Sequence, residues 1–196
     1  MKISQWIQEY GFFMLELIGF VMNLLYLYFV IRQRSIAWIW SITACFLFVF
    51  VCYVNQLYLQ TGLYIFYIFI AIYGLLEWNK NLQFQVNRMT VKQHVLFIVG
   101  SSFVGVLLGF IFSTYTVQHL PYLDGLITAF AVGTTFLIVS KHRENWLYWI
   151  VINTASVFLY LDQKLYFLTT MSLILGIVAI RGYFAWRQTA LESNKS

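Results

Sequence analysis

The sequence predicts an all-α integral membrane protein with seven transmembrane helices, arranged as a 3+1+3 parallel internal repeat. Three observations carry this prediction. The chain is 61% hydrophobic and only 10% charged, whereas a soluble domain carries roughly 25% charged residues. Seven apolar runs approach the length of about 20 residues that a membrane-crossing helix needs. The two ends of the chain also match each other at a constant offset of 108 residues. The mean hydropathy of +0.76 agrees. A composition this poor in charge excludes a soluble enzyme, a disordered chain and a nucleic-acid-binding domain.

The runs cover residues 11–31, 36–55, 57–76, 95–115, 122–140, 146–161 and 165–184. They are apolar on every face, without the alternation of a β-barrel, so helices are the way to satisfy the backbone in lipid. The first run carries Glu16. The second holds both cysteines, Cys45 and Cys52, as small buried hydrophobes. The fourth repeats small residues at Ser101, Gly105, Gly109 and Ser113, and the fifth at Gly125, Ala129 and Gly133. Such stripes let helices approach closely, within the subunit or, for span four, at a subunit contact. The sixth run is the shortest and is expected to extend into its loops. A cleaved signal peptide is not expected, because no small-residue cleavage site follows the first run.

Orientation follows from Lys and Arg. Ten lie on one side: Arg32, Arg34, Lys80, Arg88, Lys92, Lys141, Arg143, Arg181, Arg187 and Lys195. Lys2 and Lys164 lie on the other. The bias places the N-terminus outside and the C-terminus in the cytoplasm. The net charge of +5 reads the same way, as cytoplasmic-loop charge and not as a nucleic-acid footprint.

The offset pairs Glu16 with Asp124, Trp38 with Trp146, Leu57-Tyr58 with Leu165-Tyr166, Thr61 with Thr169, Gly74 with Gly182 and Trp78 with Trp186. This divides the chain into a first triple-helix unit (1–80), a loop and linker helix (81–118), a second triple-helix unit (119–188) and a cytoplasmic tail (189–196). Parallel repeats of this kind are a transporter plan, with substrate held between the halves while they rock.

Trp146, Trp149 and Asn153 share one helix face at spacings i, i+3 and i+7. Asn153 lies about 10 Å along the axis from Trp146, well inside the membrane. A buried amide needs a partner. Two indoles and one amide suit a flat aromatic or pyridinium ligand that bears hydrogen-bonding groups. Glu16 and Asp124 read either as a proton or cation relay or as acids complementing helix N-termini. The structural role is preferred, and uncoupled transport is the simpler expectation. Tyr58 and Tyr166 read as interfacial anchors, and Gln56, Gln60 and Gln163 as residues of the outer mouth. His94, His119 and His142 fall at span ends or in loops, and neither G-x-S-x-G nor H-E-x-x-H occurs. No enzyme activity, metal or cofactor is expected.

The segment ENWLYWIVIN, the run LY…RGYFAW ending at Trp186, Glu16 with Gly19, and NQLY…IYGLLEW between Asn55 and Trp78 carry a resemblance. The chain resembles the PnuC-type vitamin B transporter family over nearly its whole length. The resemblance implies facilitated diffusion, by alternating access, of an unphosphorylated vitamin precursor, foremost nicotinamide riboside. It implies a bacterial inner-membrane homotrimer whose protomers each transport, and a cytoplasmic kinase that traps the substrate for NAD biosynthesis. It implies that Trp146, Trp149 and Asn153 contact the substrate; the expected binding set adds Tyr64, Trp38 and Thr169. Where riboside carriers of the family usually have Gly, Asn and Gln in the first half, this chain has Ser41, Ala44 and Tyr64. Thiamine and riboflavin therefore stand as alternative cargoes, and a structural or assembly role as an alternative function.

Overall fold

A computed structural model describes residues 2–54, 58–80, 85–115 and 119–193, with side chains from Met14 onward apart from Glu16, Tyr58, Leu59 and Ser193. The roles expected for Glu16, Gln56 and Tyr58 therefore fall outside the described side chains, as do Asn55, Leu57, Lys2 and Lys195. Among the described residues there are seven helices: α1 (Lys2–Ile31), α2 (Ile36–Val54), α3 (Tyr58–Lys80), α4 (Val91–Tyr115), α5 (Pro121–Val139), α6 (Asn145–Asp162) and α7 (Tyr166–Ser193). Five are long and apolar enough to cross a membrane: α2, α3, α4, α5 and α7. A further apolar stretch, Leu17–Ile31, belongs to α1. Large apolar side chains such as Phe46, Phe69, Phe103 and Val151 are exposed, as lipid-facing residues of a multi-pass protein must be. The elements overrun the expected spans at both ends of the chain. Hydropathy does not register polar helical turns at Lys2–Tyr10 or after Phe184, yet their backbone bonds close within the helix.

The chain forms two compact units, Met1–Phe84 and Gln85–Ser196. In the first, α2 packs on both α1 and α3. In the second, α5 packs on α4 and α6, and α6 on α7. The small-residue stripe of α4 meets α5: a Cβ at Gly125 would lie 2.5 Å from the Gly105 carbonyl oxygen and 2.6 Å from the Gly109 amide nitrogen. Backbone here touches backbone, which small residues alone permit.

The α1–α2 and α5–α6 turns have the same construction. Gln33 adopts the left-handed conformation (φ 58°), and so does Lys141 (φ 58°). The Gln33 amide donates to the Val30 carbonyl (2.9 Å) and the Arg34 amide to Phe29 (3.0 Å). In the second turn, Lys141 donates to Ile138 (2.9 Å) and His142 to Leu137 (2.9 Å). These paired bonds are the Schellman closure of a helix C-terminus. Every donor and acceptor of the second turn lies 108 residues after its counterpart in the first. Lys164 (φ 59°) closes α6 the same way, with Leu165 donating to Tyr160 at 2.8 Å.

In the second unit a short strap, 86–90, is tied to the α5–α6 corner. Asn87 exchanges backbone bonds with Lys141 and Arg143, and its side chain donates to the Ser140 carbonyl. The Met89 amide donates to Glu144 Oε2 (3.1 Å), and Arg143 Nε donates to Glu144 Oε1 (3.1 Å). Thr90 and Gln93 cap the start of α4 reciprocally, at 2.7 and 3.4 Å.

Candidate substrate site

Each unit carries one tryptophan lock. Trp38 on α2 is 1% exposed; an added Cβ on Gly74 of α3 would lie 2.5 Å from its ring, and Trp78 meets it edge-on at 5.4 Å and 86°. Trp146 on α6 is 1% exposed; a Cβ on Gly182 of α7 would lie 2.5 Å from its ring, and Trp186 meets it at 5.7 Å and 85°. The glycine is needed in both because the indole face lies directly on the neighbouring backbone. Edge-to-face aromatic pairs of this kind contribute about 0.5–1.5 kcal/mol beyond their contact area. The indole Nε1 atoms of Trp38 and Trp146 are buried without a hydrogen-bond partner, as are those of Trp40 and Trp149.

Between its lock and the far end of α6, the second unit is lined with small polar groups. Asn153 is 7% exposed, Ser156 6%, Thr169 7% and Ser172 5%. Asn153 Nδ2 donates to the Trp149 carbonyl at 2.7 Å, a bond within the helix that makes no use of its Oδ1. Ser156 donates to Ile152 (2.9 Å) and Thr169 to Leu165 (3.0 Å). Hydroxyls satisfied this way hide their proton in the helix and keep oxygen lone pairs to accept with. Gly176 of α7 stands opposite Asn153: a Cβ there would meet Asn153 Cβ at an ordinary 3.7 Å. No charged side chain belongs to this stripe.

The same register gives different residues in the first unit. Cys45, Phe48, Tyr64 and Ile68 precede Asn153, Ser156, Ser172 and Gly176 by 108. Phe48 stacks on Tyr64 at 5.0 Å and 18°, and a Cβ on Gly19 of α1 would lie 2.8 Å from Phe48 Cζ. Cys45 lies within hydrogen-bond reach of Ser41. Aromatic rings replace Ser156 and Ser172, whereas Thr61 keeps the threonine of Thr169.

Of the residues singled out from sequence, α6 thus brings Trp149 and Asn153 together through one hydrogen bond. Trp146 and Trp38 are locked against glycine, Thr169 is buried on α7, and Tyr64 is stacked in the first unit. Sequence reasoning missed Ser156, Ser172 and Gly176. The 108-residue register singles them out once Phe48 and Tyr64 are recognised as their counterparts.

Away from the stripe, the α5–α6 corner gathers titratable groups. His94 Nδ1 lies 2.7 Å from the Tyr148 hydroxyl. Burial holds His142 below its ordinary value; nearby Glu144 opposes that shift and His94 reinforces it. Among the described residues no group of three His, Cys, Asp or Glu is placed to hold a metal ion.

The fold and the stripe define a helical multi-pass membrane protein with paired tryptophan locks and one neutral polar stripe. Comparison with known proteins gives the family. The model of the family described as "Nicotinamide mononucleotide transporter" matches residues 13–188, and the chain belongs to that family. The nicotinamide riboside transporter PnuC of Haemophilus influenzae is 28% identical over 143 residues, 69% of this chain and 62% of that protein. Its namesake in Escherichia coli is 31% identical over 72 residues, 37% of this chain and 30% of that protein. The chain thus spans less than two thirds of the length of these relatives. A solved structure, "Crystal structure of the Vitamin B3 transporter PnuC", superposes with a TM-score of 0.72 at 22% identity, over 91% of this chain and 82% of that one. At that identity the likeness establishes the fold.

Proposed function

We propose that the chain carries nicotinamide riboside across a bacterial inner membrane by facilitated diffusion with alternating access. One observation carries the reading: a neutral polar stripe, Asn153, Ser156, Thr169 and Ser172 beside Trp149, in a family of transporters. Trp149 offers an aromatic surface to a pyridinium ring, and Asn153 Oδ1 accepts from the ring's amide. Trp146 anchors that end of the site, with Thr169 as a further contact; Trp38 and Tyr64, the other residues expected in the binding set, belong to the first unit. A phosphate group favours Arg or Lys donors, and this stripe has none. The unphosphorylated riboside named for the relatives therefore fits better than the mononucleotide of the family description.

The wider arrangement belongs to the same proposal. Seven spans form a 3+1+3 parallel repeat, supported by the recurring Schellman turns and tryptophan locks. The boundaries are 1–80, 81–118, 119–188 and 189–196, the N-terminus is outside, and the C-terminus is cytoplasmic. The transporter is a homotrimer, and a cytoplasmic kinase traps its cargo. The test is uptake into proteoliposomes. Riboside enters, mononucleotide does not compete, and the rate ignores an imposed proton or sodium gradient. Competition by mononucleotide, or flux that follows the gradient, contradicts the proposal.

A further inference from the structure

Seven hydroxyls of the described membrane helices share one habit. Those of Thr43, Thr114, Thr135, Thr154, Ser156, Thr169 and Thr170 all donate to the carbonyl four residues back, at 2.8–3.0 Å. Thr134 on α5 breaks it. The residue is 0% exposed, and its Oγ1 has no hydrogen-bond partner. A buried hydroxyl left unpaired is unfavourable, and the neighbouring Thr135 shows that back-bonding is open to this helix.

Thr134 also points away from α4. The α4 contact of α5 uses Tyr122, Gly125, Leu126 and Gly133, which meet Gly109, Gly105, Phe97 and Ser101. At 3.6 residues per turn, Thr134 lies about 100° round the helix from Gly133. The other helix packed on α5 is α6, which carries Trp146 and Asn153. The first unit agrees. Tyr26 precedes Thr134 by 108 residues, and its ring lies 5.8 Å from that of Trp38, the counterpart of Trp146. Where the first unit has a phenol against its tryptophan, the second has a small side chain with an open hydroxyl.

We infer that Thr134 is a substrate-contacting residue whose hydroxyl takes the hydroxyl-bearing part of the cargo, the sugar of a nucleoside or the polyol of a related vitamin, while Trp149 and Asn153 take the ring. This deepens the reading given under Proposed function and rests on it for the binding unit, though not for the particular vitamin.

The test is calorimetry in detergent with nicotinamide riboside, thiamine and riboflavin on wild type, Thr134→Val, Thr134→Ser and Thr135→Val. Thr134→Val keeps the shape and removes the hydroxyl. It weakens the vitamin that wild type binds about five- to tenfold, and Thr134→Ser keeps wild-type affinity. Thr135→Val changes little. The empty Thr134→Val protein melts about 2–4 °C higher, because an unpaired buried hydroxyl has been removed. Weaker binding in a more stable protein is a combination that a packing defect does not produce. Wild-type affinity in Thr134→Val overturns the inference. Binding of thiamine or riboflavin with none of riboside overturns only the choice of vitamin, and the Thr134 comparison is then made on the vitamin that binds.

Discussion

The two units share their ends and differ in their middles. Trp38, Gly74 and Trp78 repeat the geometry of Trp146, Gly182 and Trp186 within a few tenths of an ångström. Away from its lock, the first unit has Tyr26, Cys45, Phe48, Tyr64 and Ile68 at the register positions of Thr134, Asn153, Ser156, Ser172 and Gly176, while Thr61 matches Thr169. The shared parts hold helices together, so they tolerate little change. The divergent parts differ in chemistry: stacked rings in the first unit, small polar groups in the second, which under the proposed function bond the solute.

Making the second unit resemble the first breaks the comparison most severely. Ser156→Phe with Ser172→Tyr fills the stripe, and vitamin affinity falls at least about a hundredfold, roughly 2.7 kcal/mol. Calorimetry on the purified variant measures it. Next come the locks. Gly182→Ala and Gly74→Ala each force a buried indole off its neighbour's backbone and lower stability by about 2–3 kcal/mol, read by thermal melting. Nearly equal losses are expected, and a marked inequality breaks the structural equivalence. A smaller effect of opposite sign is expected at the turns. Lys164→Gly relieves a left-handed non-glycine residue and raises stability by about 1 kcal/mol.

The smallest effect is one of pH, and it concerns the second unit alone. Burial holds His142 below its ordinary value, against Glu144 and with His94. Its contribution is fully present above the unfolded value and is lost as pH falls below it towards the folded one. Melting temperature should therefore decline from pH 7 towards pH 5, and His142→Gln should flatten that part of the profile.

Much of this was legible in the sequence because rare residues mark it. Tryptophan and glycine at one fixed offset mark the residues of both locks, although the sequence reads Trp146 as a wall of the binding site and does not show it packed on Gly182. Helix limits were less legible, since α1 and α7 continue through polar turns that hydropathy ignores. The strap at 86–90 was invisible because Met89 and Glu144 are 55 positions apart and neither belongs to a periodic pattern. Thr134 was hidden for another reason: a threonine that bonds its own helix and one that does not read identically in a sequence.

Under the proposed function, recognition resides in the second unit. Asn153 and Cys45 occupy equivalent positions, and the most direct test titrates nicotinamide riboside into wild type, Asn153→Ala and Cys45→Ala under identical conditions. Asn153→Ala is expected to weaken binding roughly 10- to 100-fold while remaining folded, and Cys45→Ala to bind as wild type does. Undiminished affinity in a folded Asn153→Ala protein, or an equal loss in Cys45→Ala, would contradict it.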